Sequence, residues 1–348
     1  MKIKRLCLLL IPVLLLAGCW DIKDINKRFF PLIVAISKEN DEAYTITLQM
    51  PIPQNVNEAS RTVTVKANSI GSALEQVQLD AEDVIDYSQT QLIFIQSNLA
   101  KEQQAMQKLI HFVMNAKEIP SRALLAITDE NVEDLLKDIN QKLGIQTSSI
   151  YDYFNKGYDW APEIFSIPIW KAYQSLFFHT QDLAIPVASA GKDTVLTFEG
   201  LDVFRKGEKM ERISTAESLL LNMVQNKNEG GTVESLESAD IHIINSSVKK
   251  HATMKNKRPV LSVDLHLTMR ILEKKQDISD KHIQQQLQQR LEQRFHTLLQ
   301  RLQEAHTDIF GFGQQFRQFI PYKELKNWRT TYYPNLQVDF NVSTTITQ

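Results

Sequence analysis

Val263-Asp-Leu-His-Leu-Thr-Met-Arg-Ile271 alternates apolar and polar residues without interruption. This period of two predicts a β-strand with one buried face, paired across Asn256-Lys-Arg-Pro259 with the stretch that begins Asp240-Ile-His-Ile-Ile-Asn245. A helix of about 30 residues is predicted from Ser279, since its apolar residues recur at steps of three, four or seven. They are Ile283, Leu287, Leu291, Phe295, Leu298, Leu302 and Ile309. With a further strand at 336–342, this end of the chain is predicted to be a sheet covered by one long amphipathic helix near the C-terminus.

Strand and helix patterns alternate through the first part of the chain. Strands are predicted at 44–50, 91–95 and 123–127, and helices at about 69–81, 99–115 and 128–139. Residues 195–213 read as a hairpin, and Ser214-Thr-Ala-Glu217 is a capping box that opens another helix. The sequence therefore predicts a mixed α/β, or α+β, fold of three domains, at 19–190, 191–235 and 236–348, with sheets packed by helices.

The chain begins with the pattern of a secretory signal. Lys2, Lys4 and Arg5 precede the apolar run from Leu6 to Leu16, which ends in Ala17-Gly18-Cys19. Leu16-Ala-Gly-Cys19 resembles a bacterial lipobox, so we expect residues 1–18 to be removed and Cys19 to become an N-palmitoyl, S-diacylglyceryl cysteine. The acyl chains of this modified cysteine would hold the rest of the chain at a membrane, because more than one chain is needed for stable anchoring.

This N-terminal segment has two other interpretations, an uncleaved membrane helix and a secretory signal without a lipid. An uncleaved membrane helix from Leu6 to Ala17 would reach only about 18 Å, whereas a hydrocarbon core is about 30 Å thick. A plain secretory signal without a lipid remains open, although such a signal does not require a cysteine after the cleavage site.

Composition restricts the partners and the chemistry. The 348 residues include 39 Lys and Arg against 41 Asp and Glu, a net charge of −2, which argues against a nucleic-acid partner. Cys7 and Cys19 are the two cysteines, so after removal of the signal no thiol is free for a disulfide, a metal site or a nucleophile.

No catalytic or cofactor motif stands out in the sequence. The eight histidines are scattered, without a metal-binding spacing, and neither a nucleophile elbow nor a phosphate-binding loop is present. The many acidic residues leave open a carboxylate pair for sugar hydrolysis. The segment 150–190 is rich in aromatic residues, which could line a ligand pocket, although packing against the sheet is the more common use of such residues.

Several short motifs together resemble the Ger(x)C family, the C subunits of spore germinant receptors. They are Leu16-Ala-Gly-Cys-Trp-Asp21, Gln91-Leu-Ile-Phe-Ile95, Phe198-Glu-Gly-Leu-Asp-Val-Phe204 with Glu217, and Asp308-Ile-Phe-Gly-Phe-Gly313 followed by Trp328 and Tyr332. The resemblance runs from the anchor to the last strand. The sequence departs from the family pattern at Ala35-Ile-Ser37, at Asp202 and at Glu211.

The resemblance implies a lipoprotein on the extracytoplasmic face of the spore inner membrane. It further implies integral membrane A and B subunits as partners and three mixed α/β domains. Together with the A and B subunits, the protein would take part in nutrient-triggered germination. The resemblance implies that it is not an enzyme and that the nutrient need not bind to this subunit. Gly311 and Gly313 are expected to form a tight turn in which Asp308 accepts hydrogen bonds. The alternatives are a lipid-anchored solute-binding protein, whose pocket the aromatic segment would form, and an exported glycoside hydrolase.

Overall fold

The computed structural model describes residues 27–40, 43–51, 60–143, 150, 153–154, 161, 163–225, 231–275 and 277–347. The predicted signal 1–18, the lipid site Cys19, and Tyr151, Tyr158 and Trp160 of the aromatic segment lie outside these residues.

Within the described residues the strands, numbered in chain order, form three sheets. The first ten are β1 Arg28–Phe29, β2 Ile33–Asn40, β3 Ala43–Pro51, β4 Ser60–Ala67, β5 Val84–Ile85, β6 Leu92–Gln96, β7 Leu124–Thr128, β8 Leu183–Ala190, β9 Leu196–Arg205 and β10 Glu208–Ile213. The last four are β11 Thr232–Ser235, β12 Ala239–Lys255, β13 Arg258–Lys274 and β14 Gln337–Ile346. An eight-stranded sheet has the order β10-β9-β8-β7-β6-β2-β3-β4, a four-stranded sheet runs from β11 to β14, and β1 pairs with β5.

The α-helices are α1 Ile70–Asp80, α2 Ser97–Ala100, α3 Gln103–Asn115, α4 Val132–Leu143, α5 Ile169–Phe177, α6 Thr215–Val224, α7 Asp280–Glu304 and α8 Tyr322–Leu325. Short turns of other helix types lie at Tyr87–Gln89, Phe312–Phe316, Trp328–Tyr332 and Tyr333–Asn335.

Helices cover both faces of the eight-stranded sheet. Its central strands β2, β6, β7 and β8 are parallel to one another, and parallel strands are normally buried on both sides. On one face Ile93 and Ile95 belong to the core that includes Met106 and Leu109 of α3. On the other face Phe94 shares a second core with the buried stripe of α4. The mixed fold class predicted from the sequence is confirmed.

The predicted middle hairpin extends the first sheet. Its strands are β9 and β10, and β9 pairs antiparallel with β8, so Gly191 lies between two neighbouring strands of one sheet. The division into three domains stays a prediction.

The four-stranded sheet contains the long hairpin that the alternation of apolar and polar residues predicts. β12 and β13 pair over their whole length, and Asn256 and Lys257 turn the chain with φ of +50° and +63°, as a two-residue hairpin requires. The stripe of α7 packs on one face of the sheet, where Phe295 stacks on Phe340 with ring centroids 4.0 Å apart. The helix ends at Glu304, so Ile309 is buried in the following loop and not on the helix.

Candidate functional site

The motif that follows α7 folds into a turn around one carboxylate. Gly311 has a φ of +68°, a conformation that favours glycine. The Asp308 carboxylate accepts hydrogen bonds from the backbone N–H groups of Phe312 (3.0 Å) and Gly313 (2.8 Å) and from the Trp328 indole (2.9 Å). A Cβ on Gly313 would lie 2.6 Å from the Trp328 ring, so this contact requires glycine. The expected turn, with Asp308 as its acceptor, is confirmed.

A buried ion pair fastens this turn to the start of β8. The Arg329 guanidinium donates to the Asp182 carboxylate at 2.7–3.0 Å, and the two side chains are 8% and 0% exposed. Asp182 and Asp308 also exchange two hydrogen bonds through their backbones and the Asp182 carboxylate, each of 2.8 Å. The remaining Arg329 donor contacts are to the carbonyls of Phe178 and Gln181. Sequence reasoning missed both Asp182 and Arg329, because neither belongs to a recognisable local pattern.

Burial determines the protonation of Asp308. Complete burial, aided by the negative charge of Asp182, raises the pKa of the Asp308 carboxyl to about 6. The N–H groups of Phe312, Gly313 and Trp328 donate to this carboxylate and oppose the rise in its pKa, because they favour the ionised form.

A cavity of about 220 Å³ lies beside this network. It is enclosed by α5, the first residues of β8, Gln225 after α6, and Ile309. Its lining comprises Phe165, Ile167, Lys171, Gln174, Ser175, Phe178, Gln181, Asp182, Leu183, Ala184, Gln225 and Ile309. This lining combines apolar side chains with the amide side chains of Gln174, Gln181 and Gln225, and such a combination suits a small polar ligand.

Of the aromatic residues in this segment that the structure describes, two line this cavity. Phe165 and Phe178 line the cavity, whereas Phe154 packs edge-on against Phe94 beneath the other face of the sheet. Trp170 and Phe177 are 42% and 54% exposed. Most of the aromatic residues described in this segment therefore serve packing or the surface.

A second contact between the two large sheets uses another motif residue. Glu217 and Ser214 form the predicted capping box, with the Glu217 carboxylate accepting from the Ser214 N–H at 2.8 Å. The other Glu217 oxygen accepts from Arg301 of α7 at 2.6 Å, and Arg301 Nε also donates to Glu211 at 3.1 Å. Glu211, a departure from the family pattern, thus has a partner within this chain.

Asp202, another departure from the family pattern, also has charged partners within this chain. Its side chain is fully buried in β9, and its carboxylate accepts from Lys209 at 2.5 Å and from Arg212 at 2.7 Å. Both cations lie on the neighbouring strand β10, so the buried charge is paired inside the hairpin.

The part of the chain that the structure describes shows neither a metal centre nor a membrane-spanning helix. There, no three His, Cys, Asp or Glu side chains come together as metal ligands. None of the helices among these same residues combines the length and the hydropathy needed to span a membrane. Among the described residues that line the cavity, Asp182 is the single carboxylate.

Known protein families and individual proteins match most of the chain. Residues 21–190 match the family model described as "Spore germination protein N-terminal domain", and residues 199–348 match "Spore germination B3/ GerAC like, C-terminal". Spore germination protein KC of Bacillus subtilis (strain 168) is 21% identical, over 97% of this chain and 94% of that protein. Spore germination protein B3 of the same organism is 23% identical, over 83% and 79%.

The fold has also been seen in a solved structure. The chain titled "Crystal Structure of the GerBC protein" superposes with a TM-score of 0.61 and 18% identity, over 90% of this chain and 97% of that one. At this identity the likeness shows a shared fold.

Proposed function

The chain belongs to the Ger(x)C family of germinant-receptor C subunits, and from this premise we propose that it acts in spore germination as a lipid-anchored, non-enzymatic subunit. The acyl chains on Cys19 would hold the protein at the extracytoplasmic face of the spore inner membrane. There it would dock on the integral membrane A and B subunits. Tethering raises the local concentration of the partners, so that modest contacts suffice.

The observation that carries this proposal is that the motif residues make contacts within the protein itself. The Asp308 N–H donates to Asp182, and the Glu217 carboxylate accepts from Arg301; these two contacts join the eight-stranded sheet to the C-terminal sheet. Trp328 holds the Asp308 carboxylate within its turn. Contacts of this kind hold the two sheets together as one rigid body. A rigid body whose shape is preserved suits a subunit that presents a surface to fixed neighbours.

The anchor is tested by replacing Cys19 with alanine in the full chain. We expect this variant to leave the membrane fraction and the nutrient response to be lost, because the chain would have no acyl group. Cys7→Ala is the matched control, since it removes the other cysteine while keeping the predicted attachment site. Normal membrane retention together with a normal nutrient response of Cys19→Ala would contradict the proposal.

The cavity favours a second candidate, a lipid-anchored solute-binding protein. Its volume and its lining by Lys171, Gln181 and Gln225 fit a small polar nutrient, and Phe165 and Phe178 come from the predicted aromatic segment.

Calorimetric titration of residues 20–348 with amino acids and with sugars separates the two candidates. If nutrients are bound elsewhere in the receptor, we expect no saturable heat. Saturable binding that Gln225→Leu abolishes would favour the second candidate. Gln289→Leu, at a polar surface position of α7 outside the cavity, is the control that should leave such binding unchanged.

A further inference from the structure

The described chain begins at one end of the eight-stranded sheet. Arg28 and Phe29 of β1 pair in parallel register with Val84 and Ile85 of β5, and the Asp86 N–H donates to the Phe29 carbonyl at 2.8 Å. Phe29 lines a small cleft that residues of β4 and of the last turns of α1 also line. The chain therefore enters the fold beside β4, the edge strand at this end of the sheet.

The distance from the predicted lipid to this point is limited by chain length. Eight residue steps separate Cys19 from Lys27, and at most about 3.6 Å per step they span no more than about 29 Å in any conformation. The C-terminal sheet is attached at the opposite end, through β10 and the start of β8. Seven strand spacings of about 4.8 Å separate β4 from β10, or roughly 34 Å. Cys19 can therefore lie no farther than about 29 Å from the point where the chain enters beside β4, a distance shorter than the width of the sheet.

Two exposed apolar side chains flank the point where the chain enters. Leu79 in the last turn of α1 is 78% exposed, the highest value among large apolar side chains of the described residues. Val84, the register partner of Arg28, is 47% exposed. The Gln78 side chain accepts a hydrogen bond from the Ile85 N–H at 2.9 Å, which holds the end of α1 against β5. Together Leu79 and Val84 are called the N-terminal patch.

The charges around the patch indicate which kind of lipid surface it suits. Asp80, Glu82 and Asp83 lie between Leu79 and Val84 in the chain, and Arg61 is paired with Glu82 at 2.8 Å. Acidic groups are repelled by anionic headgroups within about a Debye length. Contact with the bilayer would therefore come from the apolar side chains and would be strongest on an uncharged surface.

We propose that the N-terminal patch contacts the bilayer, with Leu79 and Val84 in the lipid–water interface. The β4 end of the eight-stranded sheet then faces the membrane, and the C-terminal sheet lies on the side away from it. This inference rests on the proposed anchoring at Cys19. It commits to the lipid surface, and not to a protein partner, as what covers the patch.

The test uses the lipidated mature protein bound to vesicles of phosphatidylcholine. Since Cys19 would be blocked by its lipid and Cys7 removed, Leu79→Cys and Val84→Cys each create a single thiol for a polarity-sensitive fluorophore. Val233→Cys and Leu272→Cys are matched controls on the C-terminal sheet, because both side chains are 53% exposed. We expect blue-shifted emission and quenching by lipid-bound quenchers at 79 and 84 and neither effect at 233 and 272. Adding phosphatidylglycerol should reduce the quenching at 79 and 84.

Three results would overturn the inference. If the protein floats with the vesicles but all four labels stay equally water-exposed, the anchor stands and the orientation is wrong. If the labels at 79 and 84 are shielded only in native spore membranes, a protein partner covers the patch. If the protein does not float with the vesicles, the proposed anchoring fails and this inference fails with it.

Discussion

Replacing Arg329 by methionine will lower the free energy of unfolding by about 3–5 kcal/mol, the usual cost of leaving a buried charge without its partner. The Asp182 carboxylate is fully buried, and Arg329 supplies its counter-charge through hydrogen bonds of 2.7–3.0 Å. Methionine keeps much of the side-chain volume, so the loss reports mainly the charge. Urea unfolding of the mature chain measures it.

The control for this prediction is Arg317→Met. Arg317 lies on the same C-terminal segment but is exposed, and we expect its replacement to change the unfolding free energy by less than about 0.5 kcal/mol. The double variant Asp182→Asn with Arg329→Met should be more stable than Arg329→Met alone, because the uncompensated charge is gone while an amide oxygen can still accept from the Asp308 N–H. An Arg329→Met protein as stable as the control would show that this ion pair does not hold the two sheets together.

The parts of the fold that follow from local periodicity could be predicted from the sequence. The alternation at 263–271 places Leu265, Leu267 and Met269 on the buried face of β13, and the stripe of α7 lies against that sheet. The end of α7 was harder to predict. His306 adopts a φ of +54°, and the N–H groups of His306 and Thr307 donate to the carbonyls of Gln303 and Leu302, which is a Schellman ending without its usual glycine. The sequence pattern therefore placed the end of the helix too late.

The candidate site could be predicted only in part, because its residues are far apart in the chain. Asp308, Gly313 and Trp328 were singled out as motif residues, and they meet in one turn. Asp182 and Arg329 are 147 residues apart, and no local spacing signals that they form a pair. The cavity arises where α5, β8 and the loop after α7 meet, so it depends on tertiary packing that aromatic density alone does not specify.

Replacing Asp308 by asparagine is the second change expected to have a large effect. At neutral pH we expect a loss of about 1–3 kcal/mol, the cost of one buried donor left without an acceptor. The carboxylate oxygen that accepts from both Gly313 and Trp328 can be replaced by the amide oxygen. The amide nitrogen then faces the Phe312 N–H, which loses its acceptor. Asp339→Asn on exposed β14 is the surface control, with an expected change below about 0.5 kcal/mol.

The same variant reveals how Asp308 couples stability to pH. Burial raises the pKa of Asp308 to about 6 in the folded protein, against 3.8 for the ordinary side chain, so between these values the folded state binds more protons than the unfolded chain. The contribution of this group is fully present below about pH 3.8 and is lost as the pH rises through about 6, by about 3 kcal/mol in all. Asp308→Asn has no such contribution, so the stability advantage of the wild type over the variant should shrink as the pH rises from 4 to 7. Urea unfolding of both proteins across this range measures the difference. An advantage that stays constant, or that grows with pH, would show that the three N–H donors outweigh burial and keep Asp308 ionised throughout.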